Sequence, residues 1–439
     1  MNGCSTASDE VGLDSPTMKR FRFTFIFDRQ NRTATAALLA ALEDVVEDPE
    51  KTLRVVRTGK AAGLDFAPPD VFTEIVCMSS MTAGFPHVAS TLKRLRARWG
   101  KHFVAICGGS HATADPAGTL AAGFDYCCAG EGEEVVRALA GRVAAGEALE
   151  TIPGLYHLEA GHLAGSRRRK AVDVTAYRPL PGRVRFPTYI EIGRGCRWAC
   201  TYCQTPAVHG SVERFRDADM IEAAVSAYAG FGMKDFRFML PNALGYAARD
   251  RSPNCEALDE ILRRARSAAA GGRLFLGSFP SEVRPDYVTD EAIRVLGTYV
   301  SNRQIVIGGQ SGSQRMLDLI RRGHTVEDIR RACRVVVSHG FVAAVDFILG
   351  LPGETEDDRR ATLGLVTELA GEGAVANMHF FTPLPGTALA GSDPVYLTDG
   401  ERTELDRLGQ QGIVRGRWRR QEEWTRRWAG SRQDRNPIP

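Results

Sequence analysis

The sequence predicts an α/β chain of two domains: a doubly wound, flavodoxin-like domain over 18–149, then a partial (β/α)6 barrel over 188–390. Three observations predict it. Short, almost continuously apolar runs alternate with segments of helical periodicity along both stretches, the pattern of parallel strands covered by helices. At 439 residues the chain is too long for one comfortable core. Most of the strand-like runs end in glycine-rich or polar residues, and ligands gather beyond the carboxyl ends of parallel strands.

Residues 1–17 are small and polar, without the basic start and apolar core of a signal peptide, and are expected to be a disordered tail. In the first domain, 21–27, 53–56, 74–79, 103–107 and 124–128 read as strands, and 34–46, 88–99 and 133–145 as helices. A connector follows over 150–187, with two short strands around 154–162. Its basic run, 167–170, reads as a solvated loop rather than a nucleic-acid contact, because no aromatic residues interleave it. The barrel strands fall at 188–192, 235–240, 273–278, 304–308, 342–349 and 375–382. The helices between them include 219–231, 255–269, 326–339 and 357–370. Residues 391–439 are rich in Arg and Trp and read as a helical extension, with Trp424 and Trp428 on one helix face.

Composition narrows the function classes. Hydrophobic content of 44% and charged content of 25% are those of a soluble globular protein. A net charge of +3 argues for neither nucleic acid nor an anionic membrane as partner. No apolar run approaches the ~18–20 residues that span a bilayer. Of the ten cysteines, seven lie outside any paired spacing and read as reduced thiols, which points to the cytoplasm.

The other three cysteines carry the chemistry. Cys196, Cys200 and Cys203 stand in Glu191-Ile-Gly-Arg-Gly-Cys-Arg-Trp-Ala-Cys-Thr-Tyr-Cys203, directly after a strand-like run. Three thiolates so spaced can hold three irons of a 4Fe–4S cubane and leave the fourth open to a ligand. A zinc site needs four closed ligands, and the nearest extra one, His209, would make an unusual knot. A disulfide with a spare thiol lacks the secretion signal that would go with it.

The triplet, with aromatic Tyr202 before its last thiol, resembles the signature of the radical S-adenosylmethionine (SAM) superfamily. The resemblance covers most of the chain and implies that the open iron takes the amino and carboxylate groups of SAM. Its strand-end segments match in turn. Met239-Leu-Pro-Asn-Ala-Leu-Gly245 stands where the family has a Gly-Gly-Glu-like turn, so Asn242 and backbone carbonyls are left to meet the methionine amino group. In Gly277-Ser-Phe-Pro-Ser-Glu-Val-Arg284, Ser278 and Glu282 are expected at the ribose hydroxyls and Arg284 at a carboxylate. Ile305-Val-Ile-Gly-Gly-Gln-Ser-Gly-Ser313 places Gln310 and Ser311 near SAM, with Ser313 as a helix N-cap. Tyr202 is expected against the adenine, flanked by the apolar stretch 348–351.

Upstream, Gly108-Gly-Ser-His-Ala-Thr-Ala-Asp-Pro116 and Gly130-Glu-Gly-Glu-Glu134 resemble the cobalamin-binding domain that precedes many radical SAM domains. That resemblance implies cobalamin contacts at Gly108, Gly109, Ser110, His111, Gly130 and Glu131. Ordinary strand-to-helix turns also need glycine there. The chain departs from the family at Asp28-Arg-Gln-Asn-Arg-Thr33, where Gln30 replaces the histidine and Thr33 the glycine of D-x-H-x-x-G.

The resemblance thus implies a cobalamin-dependent radical SAM C-methyltransferase acting on an unactivated carbon of a natural-product intermediate. Its cofactors would be a 4Fe–4S cluster, SAM and cobalamin, its partners a small-molecule substrate and an external reductant such as flavodoxin or ferredoxin. The alternative is a cobalamin-independent dehydratase, isomerase or cyclase whose first domain is a scaffold. An iron–sulfur carrier without SAM chemistry leaves the glycine-rich strand ends without a purpose. No single general acid or base is selected by the sequence.

Overall fold

The structure, a computed structural model, describes residues 20–66, 72–166 and 170–433. The predicted tail over 1–17 and most of the basic run 167–170 lie outside the described residues.

The first domain is built on β1 (Phe21–Phe27), β2 (Leu53–Arg57), β3 (Thr73–Ser79), β4 (Phe103–Gly108) and β5 (Tyr126–Cys128). They run parallel in the order β2-β1-β3-β4-β5, the doubly wound order expected of a flavodoxin-like sheet. Central β1 reads Phe-Arg-Phe-Thr-Phe-Ile-Phe, and its last five residues are buried because helices cover both sheet faces. Its buried neighbour Glu74 is not left uncompensated: Arg22 and Arg54 both pair with it across β1, β2 and β3.

The connector strands do not stand alone. β6 (Leu155–Glu159) pairs antiparallel with β5, and β7 (His162–Gly165) antiparallel with β6, so they extend the first sheet to seven strands. An antiparallel hairpin can close an edge that a further parallel crossover would otherwise lengthen.

In the second domain, β8 (Ile190–Glu191) is followed by a small hairpin of β9 (Gly193–Arg194) and β10 (Arg214–Phe215). The barrel wall continues with β11 (Asp235–Met239), β12 (Arg273–Phe275), β13 (Gln304–Gln310), β14 (Val342–Leu349) and β15 (Val375–Phe380). All its pairings are parallel, in the order β8-β11-β12 and β13-β14-β15. The two arcs join through a bridge between Val283 and Ile307 and the bond Val306 N–H to Gly277 O, 2.8 Å. A strand not expected in the helical extension, β16 (Val414–Gly416), adds in parallel beside β15. At three residues it is too short to leave a periodic signal.

Helix starts follow local chemistry. Thr325 and Thr355 each form a capping box with Asp328 and Asp358, and Ser313 caps the helix Gln314–Leu319 by accepting from the Met316 N–H.

Candidate functional site

The cysteine triplet sits on a loop whose two ends are zipped together by β9 and β10. Gly195 makes the entry possible: its φ of +85° lies in the left-handed region, and a Cβ there would stand 2.1 Å from the Val212 carbonyl oxygen. Arg197 fastens the loop by donating to Glu213 at 2.7 Å and to the Ala248 carbonyl at 3.0 Å. Trp198 is buried beneath it, with the Arg284 guanidinium 3.5 Å from its ring centroid. The scaffold is therefore rigid without any metal.

Cys200 is buried, and Cys196 and Cys203 are half-buried. Burial pushes the Cys196 thiol up to about 11 and raises that of Cys203. Bare protein would hold these as thiols, so ligation must displace their protons. Two N–H groups already point at the sulfurs: Arg322 Nη1 to Cys200 Sγ at 3.5 Å, and the Thr205 amide to Cys203 Sγ at 3.4 Å. Among the described residues, no three His, Cys, Asp or Glu side chains are grouped as the ligands of a single metal ion would be. A cubane makes a different demand, since each thiolate binds its own iron. His209 is engaged elsewhere, 3.0 Å from Glu131. The donor set fits a three-cysteine cluster better than zinc.

The residues expected at SAM line the barrel's carboxyl-end mouth, in different ways. Tyr202 is half-buried against Met316, Ile320, Leu351 and Phe381, which form an apolar wall beside the triplet. Ser278 is buried, and its Oγ has no hydrogen-bond partner among the described residues. Asn242 uses its Oδ1 to accept from the Arg284 amide at 3.1 Å and so ties the second strand end to the third. Gln310 holds a φ of +71°, a strained conformation for a side chain with Cβ, at a bulge in β13. The Ser311 hydroxyl is taken up locally, accepting from the Ser313 amide at 3.1 Å and meeting Thr362 Oγ1 at 3.3 Å.

Glu282 is reachable by water yet has protein packed around it. Burial and the adjoining Asp346 carboxylate raise it to about 7, against the opposing pull of Arg322. Asp346 also accepts from Asn377 at 2.7 Å and lies 3.6 Å from His379 Nε2. The nearby Asp346 carboxylate raises the His379 imidazole. Since Glu282 binds its proton more tightly folded than unfolded, its contribution to stability is fully present below 4.5 and is lost as pH rises through 7. Glu282→Gln should flatten stability across that window, as read by thermal unfolding against pH. An unchanged profile would place Glu282 in ordinary water.

The sequence did not single out Asp346 as a site group, nor Arg322 or His379 at all. A carboxylate inside the apolar run of β14 was the available signal, because a buried acid needs a partner.

The cobalamin candidates lie at the carboxyl ends of β4 and β5. Gly109 has φ +92°, and a Cβ there would stand 2.6 Å from Ser79 Oγ, so only glycine allows this approach. Ser110 Oγ is buried without a hydrogen-bond partner among the described residues, and such a polar atom in this loop fits a ligand that supplies one. His111 is fully buried, stacked on Phe85 with ring centroids 3.9 Å apart. Glu131 serves the domain junction: Arg214 at 2.8 Å, His209 at 3.0 Å and the Val172 amide at 2.7 Å satisfy it and hold it well below the carboxylate range. Beside it opens a concavity of about 560 Å³ lined by Gly130, Tyr156, Lys170 and His209. Gln30 is exposed, with its Oε1 close to Gly84, while the Asp28–Asn31 turn is closed by its own side chains.

The two domains meet at these same strand ends. Gln204, next after the last cysteine of the triplet, reaches Thr82 Oγ1 of the first domain at 3.5 Å and the Pro385 carbonyl at 2.8 Å.

Comparison with known proteins agrees with this arrangement. Residues 190–366 match the radical SAM superfamily and residues 67–140 the B12 binding domain. A tRNA-2-methylthio-N(6)-dimethylallyladenosine synthase of Thermus thermophilus is 32% identical over 219 residues, 49% of this chain and 45% of that protein. The corresponding enzyme of Chlorobium phaeobacteroides is 31% identical over 233 residues, 52% and 50% of the two chains. The chain thus spans about half the length of the curated relatives it matches. Among solved structures, the radical SAM methyltransferase TsrM of Kitasatospora setae superposes with a TM-score of 0.65 at 18% identity, over 85% of this chain and 77% of that one. The cobalamin-dependent SAM radical enzyme OxsB gives 0.62 at 14%, over 90% and 56%. At such identities the likeness is one of fold. The domain matches imply a 4Fe–4S cluster, SAM and cobalamin as cofactors. The chain carries a B12 binding domain ahead of a radical SAM domain.

Proposed function

We propose that the protein is a cobalamin-dependent C-methyltransferase that methylates an unactivated carbon of a small-molecule intermediate. The observation that carries this reading is the junction: the residue after Cys203 touches the loop that follows β3, so cluster loop and B12-domain loops face one another. Bound, the cluster would supply the electron that cleaves SAM, and cobalamin a centre that carries a methyl group.

The chain's own residues have the remaining tasks. Cys196, Cys200 and Cys203 would hold the cluster, and the Tyr202 wall would pack against the adenine. Ser278 would donate to a ribose oxygen, and Gln310 and Asn242 would bound the methionine end. Gly108, Gly109 and Ser110 would hold the corrin edge. The packed junction would help keep water from reactive species. The solved TsrM structures include one with tryptophan bound, which supports a small-molecule substrate here as well. No helix of the described residues is long and apolar enough to cross a membrane, and the expected setting is the reducing cytoplasm with a flavodoxin or ferredoxin as reductant.

The cobalamin-independent alternative draws on one feature, the missing histidine at Gln30. Both readings meet one test. Protein reconstituted anaerobically with iron, sulfide and hydroxocobalamin should retain the corrin through gel filtration and release S-adenosylhomocysteine from SAM under reduction. Its cob(II)alamin spectrum should be base-off, without strong nitrogen superhyperfine splitting, because Gln30 offers no imidazole. Failure of a cluster-loaded protein to take up cobalamin would transfer the assignment to the alternative. A histidine-ligated spectrum would contradict the role given to Gln30.

A further inference from the structure

Arg322 is buried and has a distinctive set of partners. Its Nη1 donates to Cys200 Sγ at 3.5 Å, and its Nη2 to the Gly308 carbonyl at 2.8 Å. The Arg322 backbone carbonyl accepts in turn from Arg284 Nη2 at 2.8 Å, and that guanidinium lies on the Trp198 ring inside the triplet loop. Gly308 leaves space for the arrangement: a Cβ there would stand 2.6 Å from Arg322 Nη2. Next in the chain, His324 is buried and held neutral, pushed down to about 3 by burial and by Arg322 and Arg284. The titratable groups facing the guanidinium are Tyr202, Cys200, Cys203, Glu282, Arg284 and His324.

We infer that Arg322 is a tuning residue that raises the reduction potential of the cluster through its charged hydrogen bond to the Cys200 thiolate. The inference rests on the reading of the triplet as a cluster site. The reason is electrostatic. A one-electron reduction adds negative charge to the cluster and its thiolates. A fixed positive charge and an N–H at a ligating sulfur stabilise that reduced state more than the oxidised one, and water does not screen them here. Cys196 and Cys203 have no guanidinium on their sulfurs among the hydrogen bonds of the described residues. The effect is therefore local to one corner of the cluster. Reduction within reach of a cellular donor would follow from placing a cation at that corner.

The test is an anaerobic redox titration of the reconstituted protein without SAM, followed by electron paramagnetic resonance. Arg322→Gln should keep about four irons per chain and lower the potential by at least the equivalent of a tenfold change in the reduction equilibrium, ~59 mV for one electron. Arg322→Lys, which keeps the charge, should fall between the two. Gly308→Ala keeps the arginine in the chain but pushes its guanidinium aside, and should shift the potential in the same direction. An iron-loaded Arg322→Gln protein with the wild-type potential overturns the inference. If that variant does not load iron, an unshifted potential in Gly308→Ala overturns it instead, and a lowered one supports it. Absence of any cluster in the wild-type protein would overturn the reading of the triplet, a separate outcome.

Discussion

Replacing Cys196, Cys200 and Cys203 together by alanine should remove the iron–sulfur absorption entirely and abolish reductive SAM cleavage, while leaving the fold intact. Iron should drop from about four per chain, the content of one cubane, to background. The fold should survive because the loop is fastened by other means: the β9–β10 pairing, the Arg197–Glu213 bond and buried Trp198. Burial makes the charged forms of the bare Cys196 and Cys203 thiols unfavourable, so the metal-free loop gains nothing from them as thiolates. Iron analysis and thermal unfolding on the same sample separate the two effects. A full complement of iron in the triple variant would show that other residues hold the metal.

Arg194→Ala should produce the largest loss of stability of any single change at the domain junction, about 3–5 kcal/mol. Arg194 is buried on β9 and pairs with Glu191 at 2.8 Å, Glu133 at 2.5 Å and Glu131 at 3.5 Å. Glu133 and Glu131 belong to the first domain, so the guanidinium locks the two domains as well as the loop base. Without it, Glu133 and Glu191 are left buried and uncompensated, apart from Arg216 at 3.6 Å from Glu191. The double variant Arg194→Ala, Glu133→Gln should recover part of the loss, because one stranded charge goes with its partner. Urea unfolding of the two variants measures it. A loss under about 1 kcal/mol, the value of a surface pair, would show that water reaches the network.

How much was legible beforehand depended on how local the signal was. The first five strands and all six barrel strands could be read, because most are short apolar or alternating runs set off from the helical segments. β9, β10 and β16, of two or three residues each, left no period to detect. That β6 and β7 join the first sheet follows from a long-range pairing with β5, which periodicity does not carry. The triplet was legible for the same reason as the strands: its chemistry lies within eight consecutive residues. Arg322, Asp346 and His379 are brought together from separate strand and helix ends by the closure of the barrel wall. Glu131 illustrates the opposite difficulty. Its glycine-rich setting suggested a cofactor loop, whereas its partners Arg214 and His209 come from the other domain and were invisible along the chain.

The central claim is that three cysteines hold a cluster with one iron open to SAM. The electron paramagnetic resonance spectrum of the dithionite-reduced, reconstituted protein, recorded with and without SAM, tests it most directly. A single reduced 4Fe–4S signal whose shape changes when SAM is added is the predicted result. A fully loaded cluster whose signal is indifferent to saturating SAM would mean that the fourth iron is closed by a protein ligand, and would contradict the account.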